Sequence, residues 1–381
     1  MSVVVIYNYF KPKIHIIMEV LMQKQQSFDQ SKADTFAATL LDVLNKSALS
    51  YMISLGHRSG LFDCMSNLER ATSKEIADKA KLNERYVREW LGAMVTGGII
   101  DYFPTSKSYR LAPEHAAYLT RKASADNMAV LSQYMAVLGS VEDDILKCFK
   151  EGGGVPYAKY HRFHEVMAED SGQSVLSSLE SHILPLMPGI IGKLKNGINM
   201  LDAGCGSGKI VNKLASLFPK SHFTGIDLSS EAIDHARRNA SENRLDNVEF
   251  IVQDLSDFHL EAPIEQYDFI TTFDAIHDQG KPLNVLKGIY RALKPDGIYL
   301  MQDISGTSHL EEDINHPIGT FLYSVSCMHC MTVSLAQNGE GLGTMWGEAL
   351  TKEYLREAGF TNIQTNKLTH DIANNWYVVT K

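Results

Sequence analysis

The run Asp202-Ala203-Gly204-Cys205-Gly206-Ser207-Gly208, set directly behind the strand-like stretch INML, constrains this chain more than any other feature. Alternating glycines let a backbone turn sharply and approach a ligand closely. The helix expected next, KIVNKLASLF, presents its N-terminal amides to whatever the loop holds. A glycine-rich loop alone also serves dinucleotide-binding enzymes. Two details narrow the choice here: the loop opens on an acidic residue, as D-x-G-x-G-x-G, and its strand lies near the middle of the chain. Further strand-like segments follow it, HFTGIDL, VEFIVQDL, YDFITTFDAI, GIYLMQDI, TNIQTNKL and NWYVVTK, most of them separated by helical runs. That alternation predicts an α/β fold, a mostly parallel Rossmann-like sheet with helices on both faces, ending in an antiparallel edge hairpin.

Carboxylates recur at the strand ends. Asp227 closes HFTGID about twenty residues after the loop, where it can accept both hydroxyls of a ribose. Asp254 closes VEFIVQD, placed to take an adenine amino group while Leu255 covers the ring. Either could instead cap a following helix. Their succession at neighbouring strand ends favours a nucleoside site.

The front half reads differently. Residues 33–60 carry apolar positions at helical spacing and stop at Gly60. ATSKEIADKAKL, with Ser73 as a cap, and NERYVREWLGAMVTGG, with Asn83 as a cap and Gly97-Gly98 as a stop, predict two further helices. IIDYFPTSKSYRLAPEH predicts a β-hairpin, and the order makes a winged helix. Arg85 and Arg88 on the second helix would serve DNA binding, but a net charge of −9 opposes binding that rests on neutralising phosphates. The favoured reading is a module for dimerisation and substrate cover. Domains are read as an N-terminal extension at 1–30, the helical and winged-helix part at 31–150, a hinge with linker helices at 151–197, and a catalytic domain at 198–381 with an insertion at 305–350. Five scattered cysteines form no disulfide framework, no later stretch reaches membrane-span length, and the expected location is the cytoplasm.

On these residues the chain resembles the class I S-adenosylmethionine-dependent methyltransferases over roughly 160–381. LDAGCGSG matches the family's first motif, GIDLS its ribose-binding strand end, VQDL its adenine contact, YDFITTFDAIHD its fourth strand and LKPDGIYLMQD the turn into its fifth. The resemblance implies a seven-stranded sheet with S-adenosylmethionine over the C-terminal strand ends, leaving S-adenosylhomocysteine as product. Asp202, Gly204, Cys205, Gly206, Gly208, Asp227, Leu228, Asp254, Leu255 and Phe273 would bind that cofactor.

A narrower likeness is to small-molecule O-methyltransferases that carry a winged-helix dimerisation domain. It rests on that domain, on Phe163-x-x-x-Met167, and on His277-Asp278 after the fourth strand. His277 falls where that group keeps its general base, with Asp278 orienting it or binding cofactor. Gln279 stands where the group usually has Trp, and residues 305–350 depart from its usual substrate region. His277 could also simply hydrogen-bond its own loop. Tyr157, Arg162 and Phe163 would close over the methionine end of the cofactor, or begin a packed helix. The implied assembly is a homodimer acting on a small-molecule acceptor, without nucleic acid or membrane.

The segment 316–331 is rich in soft side chains. Cys327, His329 and Cys330 are residue types zinc prefers, but no second such pair lies nearby in sequence. The favoured reading is therefore a metal-free substrate pocket lined by Met167, His316, Phe321, Cys327, Met328, Met331 and Trp346. GEGLGTMWG at 339–347 is long enough to act as a lid. Two rivals stay open: methylation of nitrogen, carbon, sulfur or arsenic, and an S-adenosylmethionine-sensing DNA-binding regulator.

Overall fold

A computed structural model describes residues 28–381, so nearly all of the extension read at 1–30 lies outside the described residues. The chain divides between Leu49 and Ser50 into two compact units. The first contains most of a helix, Gln30–Arg58, along which Phe36, Leu40 and Leu44 recur every fourth residue and are exposed.

In the second unit the winged helix forms as its signals predict. The helices Ser73–Ala80 and Glu84–Thr96 sit among β1 (Ala71–Thr72), β2 (Asp101–Phe103) and β3 (Ser108–Arg110), which pair antiparallel in the order β1-β3-β2. Asn83 caps its helix through Arg85 N–H. The first cap falls on Thr72 rather than Ser73. Thr72 and Glu75 satisfy each other's backbone amides in a capping box, and the Ser73 hydroxyl instead donates to Glu84 Oε1 at 2.6 Å.

The large sheet holds β4 (Asn199–Ala203), β5 (His222–Asp227), β6 (Val248–Val252), β7 (Tyr267–Phe273), β8 (Leu293–Ile304), β9 (Asn362–Leu368) and β10 (Asp371–Thr380). Their order is β6-β5-β4-β7-β8-β10-β9. The first five run parallel, and β10 is antiparallel to both its neighbours, as the edge hairpin required.

Side chains alternate across these strands and build two cores. Leu201, Ile270, Met301 and Tyr377 face the helices Pro282–Ala292 and Gly347–Ala358. Their chain neighbours Met200, Phe269, Leu300 and Trp376 face Ile190–Asn196, Lys209–Leu217 and Ser230–Glu242. The strand order reverses between β4 and β7, and the carboxyl ends flanking that switch form the crevice where open α/β sheets bind ligands.

Two flexible-looking segments are anchored. Gly154 lies against the helix Met331–Ala336 so closely that a Cβ would stand 1.9 Å from the Thr332 carbonyl, and Val155 N–H donates to Thr332 Oγ1. In the loop read as a lid, residues 343–347 are buried. Packing holds these five, while Glu340 at the loop's start is exposed.

Candidate active site

The glycine loop is lashed to the tip of β5. Gly204 and Cys205 N–H both donate to the Ile226 carbonyl, at 2.8 and 2.9 Å, and Gly206 N–H donates to Asp227 Oδ2 at 2.8 Å. Gly204, Gly206 and Gly208 all have positive φ. Only Gly fits at 208, where a Cβ would meet the Phe250 ring at 2.5 Å and Ala236 at 2.6 Å. At Gly206 an added Cβ would meet open space.

Asp202 closes β4 in full burial and accepts from the Thr271 hydroxyl at 2.7 Å. Burial pushes its carboxyl up to about 7, more than Thr271 lowers it. Asp227 is half-buried, with Ser229 N–H on its second oxygen, and Leu228 beside it is exposed. Asp254 is exposed and accepts from Ser256 N–H, whereas Leu255 points into the core. Phe273 packs edge-on against Trp376.

His277 stands in the loop after β7, beside the glycine loop: a Cβ on Gly204 would come within 2.7 Å of Ala275. The imidazole is 3% exposed. Its Nδ1 lies 2.7 Å from Asp303 Oδ1, an oxygen that also accepts from Trp346 Nε1–H at 2.9 Å and Ile304 N–H at 2.8 Å. An oxygen already taking two donors fixes the tautomer, so Nδ1 carries the proton. Nε2 stands 3.2 Å from Asp278 Oδ1, an ion-pair contact outside hydrogen-bond geometry. Burial would lower the imidazole's pKa, but Asp303 and Asp278 outweigh it and hold the group well above its ordinary value.

The structure brings His329 and Cys330 to the same place. A π-turn, Ser326–Cys330, buries both. His329 stacks on Phe163 with ring centroids 3.5 Å apart, edge-on to Tyr157 and Tyr160. Burial takes its imidazole down to about 4, against the pull of Asp278. The Tyr157 phenol is kept protonated well above its usual range by burial, then by Asp278 and Asp227.

The other expected substrate residues distribute themselves. Met167 receives the Tyr134 hydroxyl, and Phe321 packs edge-on against the same ring. His316, Cys327 and Met328 line an open groove of about 640 Å³. Met331 is half-buried, and Trp346 is buried against Tyr354. Arg162, with φ 68° at the start of the helix Phe163–Ser171, donates to Glu165 and Gln133. Sequence reasoning missed Asp303. It is another strand-end carboxylate, two positions after Met301 in GIYLMQDI, and the logic applied to Asp227 could have found it.

Two family models match the chain: an Rv2258c-like winged helix-turn-helix domain at residues 47–121 and a methyltransferase domain at residues 194–359. The chain thus carries a methyltransferase domain behind an N-terminal winged helix-turn-helix domain.

Among curated relatives, the ubiquinone biosynthesis O-methyltransferase of Actinobacillus pleuropneumoniae serotype 7 (strain AP76) is 30% identical over 132 residues, 33% of this chain and 56% of that protein. The S-adenosyl-L-methionine-dependent Diels-Alderase iccD of Talaromyces variabilis is 26% identical over 182 residues, 47% of this chain and 58% of that one. The chain thus spans little more than half the length of either relative.

Among solved structures, human N-acetylserotonin methyltransferase in complex with S-adenosylmethionine is 20% identical with a TM-score of 0.62, covering 93% of this chain and 99% of that one. An O-methyltransferase family protein of Burkholderia thailandensis is 15% identical with a TM-score of 0.60, covering 91% and 98%. At such identities the likeness is one of fold.

Proposed function

We propose that this protein transfers the methyl group of S-adenosylmethionine to a hydroxyl of a small molecule, with His277 as general base. The observation that carries the reading is the His277–Asp303 pair in the loop against Gly204, with Nε2 on the far side of the ring from the Asp303 bond. The cofactor supplies an electrophilic methyl on a sulfonium. The chain supplies position: Asp202, Asp227 and the glycine loop for the nucleoside and amino-acid portions, and Tyr157 and Phe163 for cover. Nε2 takes the acceptor's hydroxyl proton, and Asp303 and Asp278 on either side stabilise the imidazolium that results.

One observation favours an enzyme over a DNA-binding sensor. Arg85 and Arg88 on the second winged-helix helix are paired with Glu89 and Glu84, leaving little free positive charge there. No helix among the described residues is long and apolar enough to cross a membrane. All five cysteines are free, in keeping with a reducing, cytoplasmic setting. We assign the exposed apolar strip on Gln30–Arg58 to a homodimer interface.

The test pairs calorimetry with turnover. Wild type and His277→Asn should both bind S-adenosylhomocysteine, while only wild type forms it from S-adenosylmethionine with hydroxylated aromatic acceptors. The variant should lose at least a hundredfold in rate. Undiminished turnover by His277→Asn would remove the hydroxyl reading and leave a thiol, amine, carbon or arsenic acceptor.

A further inference from the structure

Four side chains with metal-ligating atoms converge beside the methyl-transfer crevice, from two segments some fifty residues apart. Among the described residues His277, Asp278 and Cys330 each offer one ligand atom, all within 4.8 Å of one another. His329 adds Nδ1, 3.9 Å from Asp278 Oδ2 and 3.6 Å from Cys330 Sγ. The pair His329-Cys330 lacked a partner in the linear sequence, and the fold supplies it.

We propose that His277 Nε2, the Asp278 carboxylate and Cys330 Sγ, with His329 alongside, bind a borderline-soft divalent cation of the zinc class.

Geometry and chemistry both point that way. With its Nδ1 proton committed to Asp303, His277 Nε2 faces Asp278 Oδ1 at 3.2 Å, a contact bridged by a proton in the free protein and by the ion when it displaces that proton. Ligands about 2.0–2.3 Å from a tetrahedral zinc ion stand about 3.3–3.7 Å apart, so the His277–Asp278 edge is already formed. Cys330 Sγ completes the set, within 4.8 Å of both. The carboxylate–imidazole–metal arrangement, in which the far ring nitrogen donates to a fixed acid, is the support such ligands need, and Asp303 is itself held by Trp346 and Ile304. A thiolate with imidazole selects zinc-like ions over magnesium or calcium. Asp278 Oδ1 is otherwise buried without a hydrogen-bond partner. Binding exchanges the Cys330 thiol proton and the His277 Nε2 proton for the ion and releases both to solvent.

The functional consequence rests on the hydroxyl-methylating reading above. An ion on Nε2 occupies the lone pair that must take the acceptor's proton, so the ion and catalysis compete. Zinc therefore inhibits, and a chelator restores activity.

The experiment titrates Co²⁺ into chelator-treated full-length protein and follows the thiolate-to-cobalt absorption band. We expect one ion per chain, a thiolate band lost in both Cys330→Ser and Cys330→Ala, affinity at least tenfold weaker in Asp278→Asn, and no change in Cys64→Ser. Absence of the band in wild type, or its survival in Cys330→Ser, overturns the site. Zinc bound without loss of turnover overturns the competition. S-adenosylhomocysteine calorimetry on the same samples separates the two readings: heat without a cobalt band sinks the ion site alone, and a cobalt band without heat sinks the methyltransferase reading alone.

Discussion

Asp202 ties chemistry to pH at a single residue. Its carboxyl sits in full burial at the root of the glycine loop, pushed up to about 7, with one hydroxyl donor and no cation beside it. A folded-state value above the ordinary carboxylate range means stability is greatest below about pH 4. That stability is lost as pH rises through about 7, where the buried group ionises. S-adenosylmethionine is positively charged at its sulfonium and ammonium, and a cation near Asp202 favours the carboxylate. Cofactor affinity should therefore strengthen roughly tenfold between pH 6 and pH 8, because a group of pKa about 7 is only about one-tenth ionised at pH 6. Melting curves with and without cofactor give the check. The cofactor-induced rise in Tm should grow over this range in wild type and stay flat in Asp202→Asn. A rise independent of pH in wild type would separate Asp202 from the cofactor.

At the scale of elements, the loop-to-helix junction after β4 leaves the least freedom. Gly208 has φ 66°, which an L side chain adopts only with strain, and its Cα is wedged between Phe250 and Ala236. Gly208→Ala should cost several kcal/mol and abolish cofactor binding together, read by urea unfolding and calorimetry. Gly206→Ala, with open space around the new methyl but φ 52°, should cost only about 1–2 kcal/mol, remain folded and lose binding. These glycines, and the strand-end acids Asp227 and Asp254, were legible because local rules govern them: an apolar strand, then small or acidic residues at its tip. The cap at Thr72 was displaced by one residue because the Ser73 hydroxyl had a partner in Glu84, on the next helix. Asp303, one residue from the end of β8, obeys the same strand-end rule. The meeting of Cys330 with His277 is long-range. It depends on a π-turn that buries His329 and Cys330, and no periodicity announces such a turn. The expected lid failed for a related reason: a run of glycines implies freedom, but Gly347 is glycine because a Cβ there would stand 2.1 Å from Ser308 N.

For the whole molecule, the helix Gln30–Arg58 poses the remaining energetic question. Its exposed Phe36, Leu40 and Leu44 lie every fourth residue, with Leu41 and Val43 exposed beside them. Such a strip on a 29-residue helix is too long and too apolar to be left in water without cost, since each such side chain gains about 1.5–3 kcal/mol when fully buried. A second copy of the chain offers the same strip, and a two-fold axis lets a self-complementary stripe pair with itself. Light scattering on the purified protein should therefore give a mass of twice 42.5 kDa. The double variant Leu40→Glu/Leu44→Glu should shift it toward the monomer at micromolar concentration, because each introduced carboxylate would be buried against an apolar partner. Circular dichroism should show little loss of helix, as both positions are exposed in the single chain and Glu is a good helix former. A wild-type mass of 42.5 kDa at high protein concentration would remove the dimer, and the apolar strip would then need a different partner.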